Sequence, residues 1–156
     1  MEDLKKIFFS SEGRLNRLKY FKLTMILGVV EVILLMGVAI IFDDGYEDMT
    51  NAGNNLCMLI EIALLVPVYF LDMQRVHDFE GNEILPKLLF GIGFYSIVFE
   101  SGSTADVPDI SNSSDYLGYI FSNSSMLDYV SLALGLYLLF NPGTKGSNMY
   151  GEDPLQ

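Results

Sequence analysis

The sequence predicts an all-α integral membrane protein, a four-span transmembrane helical bundle preceded by a short N-terminal interfacial helix. Two observations carry this expectation. Four apolar stretches, at about 20–42, 56–71, 84–99 and 121–140, alternate with polar segments. All nine Lys and Arg residues also fall where such a bundle would place one side of the membrane: Lys5, Lys6, Arg14, Arg17, Lys19 and Lys22, then Arg75 and Lys87, then Lys145. Basic segments resist translocation, so this asymmetry orients both ends of the chain toward the cytoplasm. At 156 residues there is room for one domain, and a charged fraction of 19% falls below the ~25% of an ordinary soluble one.

Residues 1–19 are polar and basic. Leu15, Leu18 and Phe21 recur every three residues, which predicts a short helix lying in the interface before the first span. The segment is too long and polar, and its apolar run too extended, for a cleaved signal peptide. Residues 20–42 are interrupted only by Lys22 and Glu31, and about 20 residues cross the hydrocarbon layer. The second stretch, 56–71, holds Glu61 and Pro67; the third, 84–99, has Pro86 in its first turn and Gly91 and Gly93, small enough to permit close helix approach. The apolar core of the fourth, 126–140, is short, so it is expected to recruit 121–125 as its outer turn. Asn141-Pro142-Gly143 then stops the helix, and 141–156 form a cytoplasmic tail.

The formal net charge of -11 divides by side. Asp43, Asp44, Glu47 and Asp48 fall in the first outer loop, and Glu100, Asp106, Asp109 and Asp115 in the second, which also carries Tyr116, Tyr119 and Phe121 as headgroup-level anchors. A solvated acidic face accounts for these acids, although such a face also attracts cations. One cysteine, Cys57, excludes an intramolecular disulfide and reads as a small packing residue. With His77 the only histidine, no zinc site is expected, and no cofactor.

Three short motifs lie on the cytoplasmic side: Gly13-Arg14-x-x-Arg17-x-x-Tyr20, Arg75-Val76-His77-Asp78, and Pro142-Gly143-Thr144-x-Gly146-x-Asn148-x-Tyr150-Gly151-x-Asp153-Pro154. In this order and around these spans the chain resembles the DUF805 family of small bacterial inner-membrane proteins. The resemblance covers nearly the whole chain outside the second outer loop, and the C-terminal motif is its most specific part. It implies an inner-membrane location, and no activity, since the family is functionally uncharacterised. Where the family often carries two adjacent arginines, this chain has Gln74 before Arg75; where it usually has Ser-Gly-Trp, this chain has Gly81-Asn82-Glu83.

Two constellations are candidates for function. Counting about 1.5 Å per residue from the cytoplasmic ends places Glu31, Glu61 and Asp128 roughly 15–18 Å deep, three carboxylates near mid-membrane. Acids at that depth face a bundle interior and serve as proton relays or cation ligands, or else are neutral and bonded to a neighbouring backbone or hydroxyl group. The second constellation is cytoplasmic. Arg14 and Arg17, one helical turn apart, share a face, and Arg75, His77, Asp78, Asn148, Tyr150 and Asp153 stand ready to meet them. Two readings follow: a structural clasp in which arginines pair with Asp72, Asp78 or Asp153, and a binding surface for anionic lipid headgroups of the inner leaflet.

No nucleophile motif, phosphate loop, zinc-protease motif or dinucleotide fingerprint occurs, so no enzyme is expected. The small basic cluster beside a span also argues against nucleic-acid binding. The function expected is that of a non-enzymatic interaction or envelope-maintenance protein, in contact with the lipid bilayer and with a membrane protein partner or further copies of itself. The alternatives are a small proton- or cation-coupled transporter or channel subunit using the three carboxylates, and a membrane immunity-type protein acting against a pore-forming partner.

Overall fold

The computed structural model describes residues 2–42, 51–100 and 125–154, and within these the chain forms five α-helices and no strand. The acidic outer-loop positions 43–48 and 106–115, the outer-loop serines 111–124, and Tyr116, Tyr119 and Phe121 lie outside the described residues. The helices are α1 (Glu2–Phe9), α2 (Arg17–Phe42), α3 (Asn51–Asp78), α4 (Ile84–Tyr95) and α5 (Met126–Phe140), with a five-residue π-helical turn, Ser96–Glu100, continuing α4. Packing joins α2 to α3, α3 to α4, α4 to α5 and α5 back to α2, while α1 lies against α3.

The N-terminal helix differs from the expectation. It occupies Glu2–Phe9, and the Leu15-x-x-Leu18-x-x-Phe21 spacing spans a boundary instead of forming a helix of its own. Asn16 caps α2: its Oδ1 accepts from Lys19 N at 2.8 Å and its carbonyl from Tyr20 N at 2.9 Å. Arg14 therefore precedes the helix that Arg17 begins, and the two do not share a helical face.

Two helices, α2 of 26 residues and α3 of 28, are long and apolar enough to cross a membrane. They rise about 39 and 42 Å, beyond the ~30 Å hydrocarbon thickness. The protein does not bury the apolar length of α2: Ile33 is 63% exposed and Ile40 77%. Its own core instead gathers at one end, where Leu15, Tyr20, Leu71, Val76 and Leu138 cluster beneath Ile7, Phe8, Phe79 and Leu85. Between α3 and α4 the close approach falls at Gly93, where a Cβ would stand 2.9 Å from Leu65 Cδ1; Gly91 faces open space. The last helix starts later than expected, because Ser125 is its extended N-cap and not part of an added turn.

The end of α3 sets up the site. Helix α3 closes in a Schellman motif: Gly81 N donates to Val76 O at 3.0 Å and Glu80 N to His77 O at 3.5 Å. The position that usually needs glycine is Glu80, at φ 51. A left-handed L-residue costs roughly 1–2 kcal/mol, partly offset in Gly by unfolded-chain entropy. Glu80 is exposed, so Glu80→Gly is expected to stabilise the protein by about 0.5–1 kcal/mol. Thermal unfolding in detergent micelles checks this, and a lowered midpoint contradicts it.

Candidate functional site: a buried arginine–aspartate clasp

Every residue from Leu71 to Asp78 is buried, an unusual condition for the polar last two turns of a helix. The last carbonyls of a helix have no partner within it, and burying them demands donors from elsewhere. Two chain segments supply donors to this end of the helix. From the linker before α2, Leu15 N donates to Gln74 O at 3.0 Å. From the tail, Asn148 Nδ2 donates to His77 O at 2.9 Å, and Thr144 reaches Asp78 O through both its amide, 2.8 Å, and its hydroxyl, 2.9 Å.

Asp78 is the centre. Its Oδ1 takes Arg14 Nε at 3.3 Å and Nη2 at 3.2 Å; its Oδ2 takes Arg75 Nη1 at 2.5 Å. The side chains of Arg14 and Arg75 are 1% and 0% exposed, so solvent cannot satisfy either guanidinium. Protein oxygens complete both forks. Arg75 donates through Nε to Leu138 O at 2.8 Å, through Nη1 to Leu15 O at 3.3 Å, and through Nη2 to Asn141 O. Arg14 donates to Gly146 O at 2.6 Å, Thr144 O at 2.7 Å and Asp78 O at 3.3 Å. Each arginine also sits at a helix C-terminus, Arg75 at that of α5 and Arg14 at that of α3, where the backbone dipole favours a cation. Arg75 further lies over the Phe79 ring, 5.5 Å from its centroid, and Phe79 meets Tyr137 of α5 edge to face.

Gly143 makes this closure possible. A Cβ there would fall inside van der Waals contact of the Asp78 carboxylate, so only glycine lets the tail pass so near. Beyond it the tail folds on itself. Gly146 adopts φ +81 and donates its amide to Asp153 Oδ2 at 3.0 Å, and Asn148 Oδ1 accepts from Tyr150 N at 2.9 Å. The Tyr150 ring then stacks on His77, 3.8 Å between centroids and 4° from parallel. His77 Nε2 lies 3.5 Å from Glu83 Oε1, within ion-pair range but poorly aligned, and neither ring nitrogen makes a hydrogen bond among the described residues.

Around this centre, Gln74 and Tyr20 fasten two further helices. Gln74 Nε2 donates to Ser10 O at 2.7 Å and Ile7 O at 2.9 Å, closing the C-terminus of α1. The Tyr20 hydroxyl donates to buried Asp72 at 2.9 Å, tying α2 to α3.

The sequence-derived candidates thus divide. Arg14, Arg75, His77, Asp78, Asn148 and Tyr150 meet at the clasp, and Asp153 joins it through the Gly146 amide, not through an arginine. Arg17 does not: it is exposed and makes no ion pair among the described residues. Of the mid-membrane set, Glu31 and Glu61 are half-buried and close enough to interact electrostatically. Asp128 is not at mid-helix depth. It lies in the first turn of α5, where Oδ2 accepts from Ser125 N at 2.8 Å in a capping box. Gln74, Leu138, Asn141, Gly143 and Thr144 were not foreseen as parts of the site. Most of them act through backbone atoms, and Gln74 stands out in sequence only by its place beside Arg75. Among the described residues no cluster of metal-ligating side chains is present.

A helical protein with two membrane-length apolar helices, closed at one end by an arginine–aspartate clasp built from three separated motifs, is the class that fold and site define. The chain belongs to the DUF805 family of proteins of unknown function, whose pattern matches residues 8–152, nearly its whole length. No curated protein and no solved structure matches it.

Breaking one partner of a buried ion pair strands the other, at about 3–5 kcal/mol. Arg75→Ala and Asp78→Ala are each expected to destabilise by that amount, with the double variant costing less than the sum, as denaturation of detergent-purified protein will show. Gly143→Ala, which overpacks the carboxylate, is expected to lose about 1–3 kcal/mol by the same assay.

Proposed function

We propose that the chain is a non-enzymatic, four-span inner-membrane protein of interaction or envelope-maintenance type, with both ends in the cytoplasm and the clasp as its rigid cytoplasmic platform. The observation that carries this is the state of the motif residues. Arg14, Arg75 and Asp78 are buried and engaged by one another and by backbone oxygens, which suits holding a shape. Support for the membrane setting comes from α2, whose large apolar side chains face outward along the helix. In this reading, α4 with its π-helical turn and α5 are the third and fourth spans, short enough to need local bilayer thinning. Such a protein would act through its lipid-facing helices on a membrane protein partner or on further copies of itself.

Single cysteines at positions 3, 80 and 147 are expected to react with an impermeant maleimide only in inside-out vesicles, and cysteines at 46 and 112 only in right-side-out cells. Labelling of both sets from one side would overturn the four-span topology.

A second reading has one specific observation behind it: Glu31 and Glu61 are both half-buried on the packed helices α2 and α3, near enough for the charge of one to act on the other. Paired carboxylates in a bundle are a proton- or cation-handling arrangement. If the protein is a transporter or channel subunit, proteoliposomes will show proton or cation flux that Glu31→Gln with Glu61→Gln abolishes. Absence of flux in the inserted parent protein would remove this reading and leave the first.

A further inference from the structure

A cleft of about 720 Å³ opens between the start of α2 and the end of α5, within the ~300–1,000 Å³ typical of small-molecule sites. Its walls have two chemistries. Leu18, Phe21 and Phe140 present apolar surface and are 62%, 44% and 68% exposed, so the protein leaves this wall uncovered. Arg17 and Lys145 line the same cleft, one from each side, and neither makes an ion pair among the described residues. The two carboxylates that border it are engaged elsewhere: Asp78 holds Arg14 and Arg75, and Asp153 accepts from the Gly146 amide. With Asp78 neutralised by its two arginines, Arg17 and Lys145 stand against the single formal charge of Asp153, and the opening carries a net positive charge. Leu18 and Phe21 continue into the exposed apolar side chains of α2, and Arg17 stands at the polar start of that helix, across the cleft from Lys145 of the tail.

An occupant matching both walls has an anionic head and hydrocarbon tails, oriented as in a bilayer leaflet. We propose that this cleft binds one anionic phospholipid of the inner leaflet, its phosphate between Arg17 and Lys145 and its first acyl carbons against Leu18, Phe21 and Phe140. A zwitterionic lipid balances its phosphate with its own ammonium and gains less from two unpaired cations. The buried Arg14 and Arg75 take no part, because their donors are spent on Asp78 and on backbone oxygens. The inference rests on the membrane setting proposed above.

Native mass spectrometry of the full chain in a mild nonionic detergent tests it, with phosphatidylglycerol and phosphatidylethanolamine of matched chains as probes. One phosphatidylglycerol is expected to bind at least about tenfold more tightly than phosphatidylethanolamine, and Arg17→Gln with Lys145→Gln to erase the difference, since each basic residue near a leaflet adds several-fold in affinity. Arg17→Lys should retain it. Equal binding of the two lipids by the parent, or undiminished selectivity in the double variant, would overturn the proposal. So would complete displacement of the lipid by millimolar inorganic phosphate, which would mark the cleft as a free-anion site. The membrane setting is tested apart from this by alkaline carbonate extraction. A protein released by carbonate defeats that setting, whereas one retained in the membrane without lipid selectivity defeats the cleft alone.

Discussion

The structure depends on one buried carboxylate. Asp78, at the last turn of α3, is removed from water together with the two arginines that neutralise it, and neither ion would survive there without the other. A buried ion pair is weak evidence of net stability, because desolvation consumes most of the Coulombic gain. What it fixes is identity. Arg14 comes from the linker before α2, Arg75 and Asp78 from α3, and the acceptors that complete the arginines come from the end of α5 and the tail. Charged forks that demand oxygens at set positions admit far fewer arrangements than an apolar contact of the same size.

That constraint explains why the protein keeps its own core at one end. A helix facing lipid has no need to bury its apolar residues in protein, and little hydrophobic force draws such helices together. Outward-facing Ile26, Ile33 and Ile40 of α2 are consistent with that economy. At the clasp, by contrast, leucines, Tyr20 and Val76 exclude water from the ions, while Gln74 and Tyr20 bring α1 and α2 to the same junction.

Much of this was legible before the structure. The all-helical class followed from apolar stretches too long for an ordinary core, and the three motifs on one side of those stretches offered a clasp of arginines with Asp72, Asp78 or Asp153, of which the structure selects Asp78 for Arg14 and Arg75. What escaped was written in backbone atoms and in local capping. Asn16 ahead of a long apolar run marks a helix start, and taking it as such separates Arg14 from Arg17. Ser125-x-x-Asp128 is a capping-box pattern, and it removes Asp128 from mid-helix. The carbonyls of Leu138, Asn141 and Thr144 have no sequence signature at all, since every residue carries one; only the fold selects which of them an arginine finds.

The tail's place in the clasp bears on how the chain is made. Synthesis runs from the N-terminus, and Arg75 and Asp78 leave the ribosome some sixty residues before Leu138, Asn141 and Thr144. Until then both arginines lack backbone acceptors that they use in the finished protein, and the end of α3 has carbonyls without donors. Before α5 is made, the end of α3 has only water for the partners that α5 and the tail later supply. Closure waits on α5 and the segment that follows it, so the stretch around Gly143 acts as a latch that fastens only after both have been made.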